Sequence, residues 1–176
     1  MLKEAAMDMT SSGLRAIGLD VKALARKPAE PARQALLPPQ VLTLTRYWLA
    51  LGGKTPPLWS QFEMIHVGDV VPTLSFLRCN PDHTFTFTFM GSAVAAVLGE
   101  DLTGCTVSAG NPIWGEIDWY HRCKPVADVA DIQAVSGATN PPYTARVEFI
   151  TADFPFMDDV GAAVSHTAGV TVARLN

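Results

Sequence analysis

The segment Thr84-Phe85-Thr86-Phe87-Thr88-Phe89-Met90 alternates threonine with phenylalanine. Successive side chains of a β-strand point to opposite faces of the sheet, so a strand here would place all three rings on one face and the hydroxyls on the other. We therefore expect a sheet with an aromatic face. Such a face packs into a core, lines a small-molecule pocket, or does both.

Further strands are predicted on both sides of this segment. Residues 74 to 79 precede it and are joined to it by Asn80-Pro81-Asp82-His83, four turn formers that suit a hairpin loop. Residues 126 to 135 form a weaker strand, because Asp128 and Asp131 fall on opposite sides of the pleat. Two clearer strands follow, at residues 143 to 149 and 162 to 172, and apolar and polar side chains alternate along both.

Helices are expected before and between the two groups of strands. Leu44, Tyr47, Trp48 and Leu51 have helical spacing, and Gly52-Gly53 follows as a stop signal. Shorter helices are predicted over residues 61 to 70, 93 to 98 and 112 to 123. On a wheel of the last of these, Trp119 falls near Arg122 on the polar side, so Trp119 is predicted to be a large apolar group at the surface.

This order of elements predicts an α+β fold, in which two groups of strands bracket a helical segment and pair antiparallel, with helices on one face of the sheet. Residues 41 to 176 form the domain. Residues 1 to 40 hold four prolines, Pro28, Pro31, Pro38 and Pro39, and are predicted to be an N-terminal arm that is mobile or partly helical.

The chain has 176 residues, enough for one domain that buries its own core. Three cysteines at wide spacing do not form a disulfide framework, and no apolar run approaches the length of a membrane span or a secretory signal. A net charge of −4 without a basic run argues against nucleic acid binding. We expect a cytoplasmic protein that binds neither membrane nor nucleic acid.

At this point the chain resembles a PAS domain of a bacterial stand-alone subfamily, over roughly residues 41 to 174. The landmarks are Tyr47-Trp48, Pro56-Pro57, Met90-Gly91-Ser92, Gly99-Glu100-Asp101-Leu102-Thr103-Gly104, Arg146-Val147-Glu148 and Phe154-Pro155-Phe156-Met157-Asp158-Asp159. One departure is Thr88, where the family pattern has a basic residue, so a contact made by such a residue is not expected here.

The resemblance implies a five-stranded antiparallel sheet that cups a small cavity under the central helices. It implies a role in signal transduction, with a small ligand, a protein partner such as a kinase or regulator, or both, and no catalysis of its own. We expect the ligand to contact Phe87, Phe89, Leu98, Trp114, Ile117, His121, Val147 and His166. Tyr47, Trp48 and Trp119 are the expected partner surface, and a homodimer is the expected assembly.

Several alternatives stay open. His166 is expected on the apolar face of the last strand, as a hydrogen-bonded core residue, a ligand contact or, least expected, a haem ligand. Two other functions are also open. The chain could be a small isomerase or dehydratase with His166 as the base, paired with Asp128 or Asp131. It could also be a ligand-free adaptor with a filled core. The cofactor is open: the cysteine motif of flavin-adduct PAS domains is missing, and the four histidines have no metal-ligand spacing.

Overall fold

The computed structural model describes residues 15–16, 37–111, 113–114, 117–139 and 146–174, with residues 15, 16, 113 and 114 described by their backbone alone. Most of the predicted arm, residues 1 to 40, lies outside these ranges. The helices of the described part are α1 (Pro39–Gly52), α2 (Ser92–Leu98) and α3 (Trp119–Val129), with 3-10 helices at Trp59–Gln61 and Met64–Thr73. The strands are β1 (Arg15–Ala16), β2 (Leu74–Cys79), β3 (Phe85–Met90), β4 (Thr106–Val107), β5 (Ile113–Trp114), β6 (Ile117–Asp118), β7 (Gln133–Thr139), β8 (Val147–Met157) and β9 (Val164–Arg174).

One antiparallel sheet organises the described residues, with the strand order β1-β7-β8-β9-β2-β3-β4. The two ends, β1 and β4, are two-residue strands, so the sheet has two more strands than the five expected, and β5 and β6 pair separately. The hairpins β2–β3 and β8–β9 lie side by side through the pairing of β2 with β9. The α+β class and the antiparallel pairing are confirmed.

Both faces of this sheet are covered, so the expectation of helices on one face is wrong. Along β8, every residue from 149 to 156 is buried. Phe149 packs in one core cluster with α2 and α3, whereas Phe154 and Phe156 pack in a second cluster with α1. The indole Nε1 of Trp48 donates a hydrogen bond of 2.8 Å to the Pro155 carbonyl, which holds α1 on its face.

Helix α1 forms as its sequence predicts. Leu44 and Trp48 are four residues apart on one side of the helix and both are fully buried. Pro39 takes the first helical position, where its missing N–H costs nothing. Gly53 ends the helix with φ +68°, a conformation that favours glycine, and its N–H donates to the Leu49 carbonyl. The predicted short helix at residues 61 to 70 is instead two 3-10 helices.

A β-bulge at Thr88 divides the three phenylalanines of β3 between the two faces. Leu77 pairs with Phe87 and Phe76 pairs with Phe89, so Thr88 has no partner residue on β2. The extra residue reverses the side-chain alternation beyond it. Phe87 therefore packs under α2 and α3, while the Phe89 ring lies 5.2 Å from that of Phe76 in the α1 cluster. The expectation of a single aromatic face is wrong at Phe89.

The chain between residues 112 and 135 also differs from expectation. The carboxylate of Asp118 accepts the N–H of His121 at 2.9 Å, so the helix predicted from residue 112 begins only at Trp119. It ends at Ala130, which has φ +53°, and the strand predicted from residue 126 begins at Gln133. The new frame turns Trp119 inward, with its side chain fully buried.

Candidate functional site

A buried polar cluster lies between α3 and the sheet. Its members are Ser75, Arg122, Thr151, Asp153, Thr167 and Thr171, each exposed by 3% or less. The alternation of β9 puts them there: Ala168 and Val170 pack in the α1 cluster, so Thr167 and Thr171 point to α3. This face is polar although it is fully covered, which requires partners for its polar atoms.

Arg122 and Asp153 are the charged pair of the cluster. The guanidinium Nε donates to Asp153 Oδ2 and Nη2 donates to Oδ1, both at 2.7 Å, which is a bidentate geometry. Nη2 also donates to Thr151 Oγ1 at 2.7 Å, and Thr171 Oγ1 donates to the same oxygen at 3.0 Å. Burial alone lowers the pKa of Arg122, but the charge and hydrogen bonds of Asp153 outweigh it and raise that pKa.

Four polar atoms around this pair have no hydrogen-bond partner among the described residues. They are Ser75 Oγ, Thr167 Oγ1, Arg122 Nη1 and Trp119 Nε1. Each buried polar group without a partner costs about 1 to 3 kcal/mol, and native proteins keep few such groups. Four together within one part of a core indicate a place where another molecule supplies the missing partners.

The strand register brings these atoms together. Ser75, Gly169 and Asp153 lie side by side across β2, β9 and β8, and Thr167 is next to Leu77 in the following row. Gly169 lets the neighbouring polar side chains pack directly on the backbone: a Cβ there would come within 2.7 Å of Asp153 Oδ1 and 2.8 Å of Ser75 Oγ. Arg122 of α3 reaches the first of these rows through its hydrogen bonds to Asp153, and it also donates to Thr151.

Trp119 links the polar cluster to the apolar core. Its ring stands edge-on to Phe87 at 5.0 Å, and the Arg122 guanidinium carbon lies 4.3 Å from its centre. The indole ring is thus held by contacts with both groups, while its N–H has no hydrogen-bond partner among the described residues. The site therefore has hydrogen-bond donors next to apolar side chains such as Phe87.

Sequence analysis did not identify Arg122, Asp153, Ser75 or Thr167. One signal was present: Asp153 stands in an otherwise apolar run, between Ala152 and Phe154, where a charge must find a partner. Its partner could not be read from the sequence, because Arg122 is 31 residues away.

Four of the eight predicted ligand contacts, Phe87, Leu98, Ile117 and Val147, lie in or against one core cluster, and three of the others lie elsewhere. Phe87 and Ile117 are buried in the core cluster under α3, and Leu98 and Val147 pack against it partly exposed. Phe89 and His166 lie on the α1 face. His121 is exposed and binds Asp118 through Nδ1 at 2.8 Å, and the side chain of Trp114 lies outside the described residues. Phe89, His121 and His166 thus lie outside the cluster that holds the other four described residues.

His166 stacks on Trp59, with ring centres 4.3 Å apart and an angle of 9° between the planes. Its Nδ1 lies 3.0 Å from Ser165 Oγ. Burial lowers the pKa of His166, and the nearby charge of Arg78 lowers it further against an opposing effect of Asp159. Asp128, its suggested partner in the enzyme alternative, instead binds Lys124 at 2.7 Å on α3.

The residues expected at a partner surface are mostly internal. Trp48 and Trp119 are fully buried within the chain, so the expectation of Trp119 as a surface group is wrong. Tyr47 is partly exposed: its ring packs edge-on against Phe62 at 5.6 Å and its hydroxyl accepts the Glu63 N–H at 2.8 Å. Beside it, Met64 and Ile65 are exposed, Ile65 by 84%.

A surface groove of about 610 Å³ lies at one end of the sheet, between the β2–β3 loop, the end of α3 and the β8–β9 hairpin. Cys79, Phe85 and Ala127 contribute to its lining, and burial raises the pKa of the Cys79 thiol to about 12. Lys124 and Asp128 in its wall already pair with each other. The buried polar cluster, whose donors lack partners, is the stronger candidate for a specific site.

Comparison with known proteins identifies no relative of this chain: a scan against protein-family models and a search of the curated proteins both find no match. Within the described ranges, no three histidine, cysteine, aspartate or glutamate side chains are grouped so that they could hold a metal ion. No helix in the part of the chain that the structure describes is long and apolar enough to cross a membrane.

Proposed function

We propose that this chain is a cytoplasmic PAS-like sensory domain that binds a small molecule between α3 and the sheet and reports on it to a protein partner. The observation that carries the proposal is the set of four unpartnered polar atoms beneath α3. A buried group that lacks a partner lowers stability, and a ligand that supplies the partner restores it.

The architecture supports the same reading. Five longer strands pair antiparallel, and α2 and α3 come between β3 and β7 in the chain and cover one face. The antiparallel pairing and the helices between the two groups of strands support the proposal of a PAS-like domain. The Gly99 to Gly104 element forms the turn between α2 and β4, where the Gly99 N–H closes the helix and the Gly104 N–H donates to the Phe87 carbonyl.

Strand β8 provides a route from the ligand to the opposite face. Asp153 holds Arg122 of α3, and two residues later the Pro155 carbonyl holds Trp48 of α1. A ligand that shifts Arg122 relative to β8 changes the energy of both contacts, and so shifts the population between two positions of α1. The partner of this output is a kinase or regulator, or a second copy of the chain, and the exposed pair Met64 and Ile65 beside α1 is the proposed contact.

Native mass spectrometry of the purified, never unfolded protein tests the proposal. We expect a mass above that of the chain alone, lost on denaturation, and a dimer in the same spectrum. Thr167→Val keeps the side-chain shape and removes one unpartnered hydroxyl, so it should retain less of the bound molecule. Thr45→Val is the matched control, because Thr45 is equally buried on α1 and bonds its own helix at 2.6 Å.

If the wild type shows only the mass of the chain under all native ionisation conditions, also after incubation with cell extract, the ligand-free adaptor is favoured instead. The isomerase or dehydratase alternative needs His166 to reach an acid, and the described contacts of His166 are Trp59 and Ser165.

A further inference from the structure

We infer that the ligand of the buried polar cluster is a small, uncharged molecule that presents a carbonyl oxygen, such as an amide, ketone or ester, on an otherwise apolar body. This inference rests on the proposed ligand-sensing function and names the chemical class that the site selects. It follows from three properties of the cluster: which atoms lack partners, how its charge is balanced, and what surrounds it.

Two of the four unpartnered atoms can only donate. An indole N–H has no acceptor lone pair, and a guanidinium nitrogen such as Arg122 Nη1 has none either. The hydroxyls of Ser75 and Thr167 can donate or accept. A ligand must therefore bring an acceptor to Trp119 and Arg122, and an oxygen with two lone pairs can serve both.

The charge of the site is already balanced. Asp153 neutralises Arg122 through two hydrogen bonds of 2.7 Å, with both side chains 1% exposed. A carboxylate ligand would add a second negative charge with no second cation in the cluster, and an uncompensated buried charge is strongly unfavourable. A neutral carbonyl supplies the acceptor without that cost.

The walls are apolar beyond the donors. Phe87 contacts the ring of Trp119, and Leu77 lies next to Thr167 across β2 and β9; both are fully buried. Ligand atoms away from the polar cluster must pack against such groups, and a polar group there would find a partner only at the hydroxyls of Ser75 and Thr167. This favours an alkyl or aryl body.

Ligand-observed NMR titrations with matched probes test the inference on the full chain. Primary amides from acetamide to hexanamide are compared with the carboxylates of the same length. We expect saturable binding of at least one amide, with the matching carboxylate at least about tenfold weaker. Trp119→Phe keeps an aromatic ring and removes the N–H, so it should weaken the bound amide by about five- to tenfold.

Phe89→Leu on the opposite face is the control and should bind the amide as the wild type does. If Trp119→Phe does not fold, Ser75→Ala replaces it with the same expected direction. The inference is overturned if no amide binds saturably, if the carboxylate binds as well as its amide, if the variants bind like the wild type, or if a high-resolution structure shows ordered water only on Trp119 Nε1 and Arg122 Nη1. A retained molecule in native mass spectrometry together with either of the first two results would leave the sensory function standing and refute only the ligand class.

Discussion

Arg122 of α3 and Asp153 of β8 form a bidentate ion pair, with two N–O distances of 2.7 Å, in which both side chains are about as deeply buried as the apolar core around them. The pair links α3 to the centre of the sheet through Nε and Nη2. The remaining nitrogen of the guanidinium, Nη1, has no hydrogen-bond partner in the described part of the chain. The stability of the fold and the chemistry of the site therefore depend on the same two residues.

Breaking this pair from one side should be costly. Asp153→Ala leaves the Arg122 charge buried without compensation, and we expect the free energy of unfolding to fall by about 3 to 5 kcal/mol. The double variant Arg122→Met, Asp153→Leu removes both charges and should lose less than the single variant. Urea unfolding at equilibrium measures both. A double variant that loses as much stability as Asp153→Ala, or more, would contradict this account of the pair.

Gly169 should not tolerate a side chain. A Cβ at this position meets Asp153 Oδ1, Ser75 Oγ and, at 3.2 Å, Arg122 Nη2, so Gly169→Ala should lower the free energy of unfolding by about 1 to 3 kcal/mol. Gly68→Ala is the matched control, because its Cβ meets no atom within 4 Å. Equal thermal midpoints for the two variants would mean that the space above Gly169 is open.

The bulge at Thr88 predicts separate effects for two neighbouring phenylalanines. Phe87→Ala should move the indole N–H resonance of Trp119 in a ¹⁵N correlation spectrum, because the two rings are in contact at 5.0 Å. Phe89→Ala should leave that resonance in place and move the resonance of Trp59, through Phe76, which contacts both rings. A shift of Trp119 in the Phe89 variant would place all three phenylalanines on one face after all.

His166 should make the fold less stable in mild acid. Its pKa lies below the ordinary value of 6.5, so between the two values the unfolded chain binds more protons than the native one. The stability it contributes is present above pH 6.5 and is lost as the pH falls from there towards its native pKa. Between about pH 8 and about pH 5.5, the urea midpoint of unfolding should decrease more for the wild type than for His166→Gln. Parallel profiles would remove His166 as the cause.

Sequence patterns predicted the elements whose structure depends on neighbouring residues. The spacing of Leu44 and Trp48 with Gly53 after them predicted α1, and alternation predicted that Ala168 and Val170 share the apolar face of β9. Both patterns report which side of an element is apolar, which is a property of a few neighbouring residues.

The remainder depends on pairing that neighbouring residues do not encode. A period of two cannot show that Thr88 is skipped in the ladder, and that one residue redirects Phe89. The helix was predicted to begin at residue 112, and the sequence alone does not show that Asp118 is the cap that starts α3. The inward turn of Trp119 follows from that choice. The partner of Arg122 lies on a distant strand, so the buried polar cluster could not be predicted.

A crystal structure at about 1.5 Å resolution of the protein purified without added ligand tests the central claim most directly, since ordered water and organic molecules can then be distinguished. The account predicts continuous density of a non-water molecule within hydrogen-bond distance of both Trp119 Nε1 and Arg122 Nη1. Isolated water peaks on these atoms, or direct packing of protein groups against them, would contradict it.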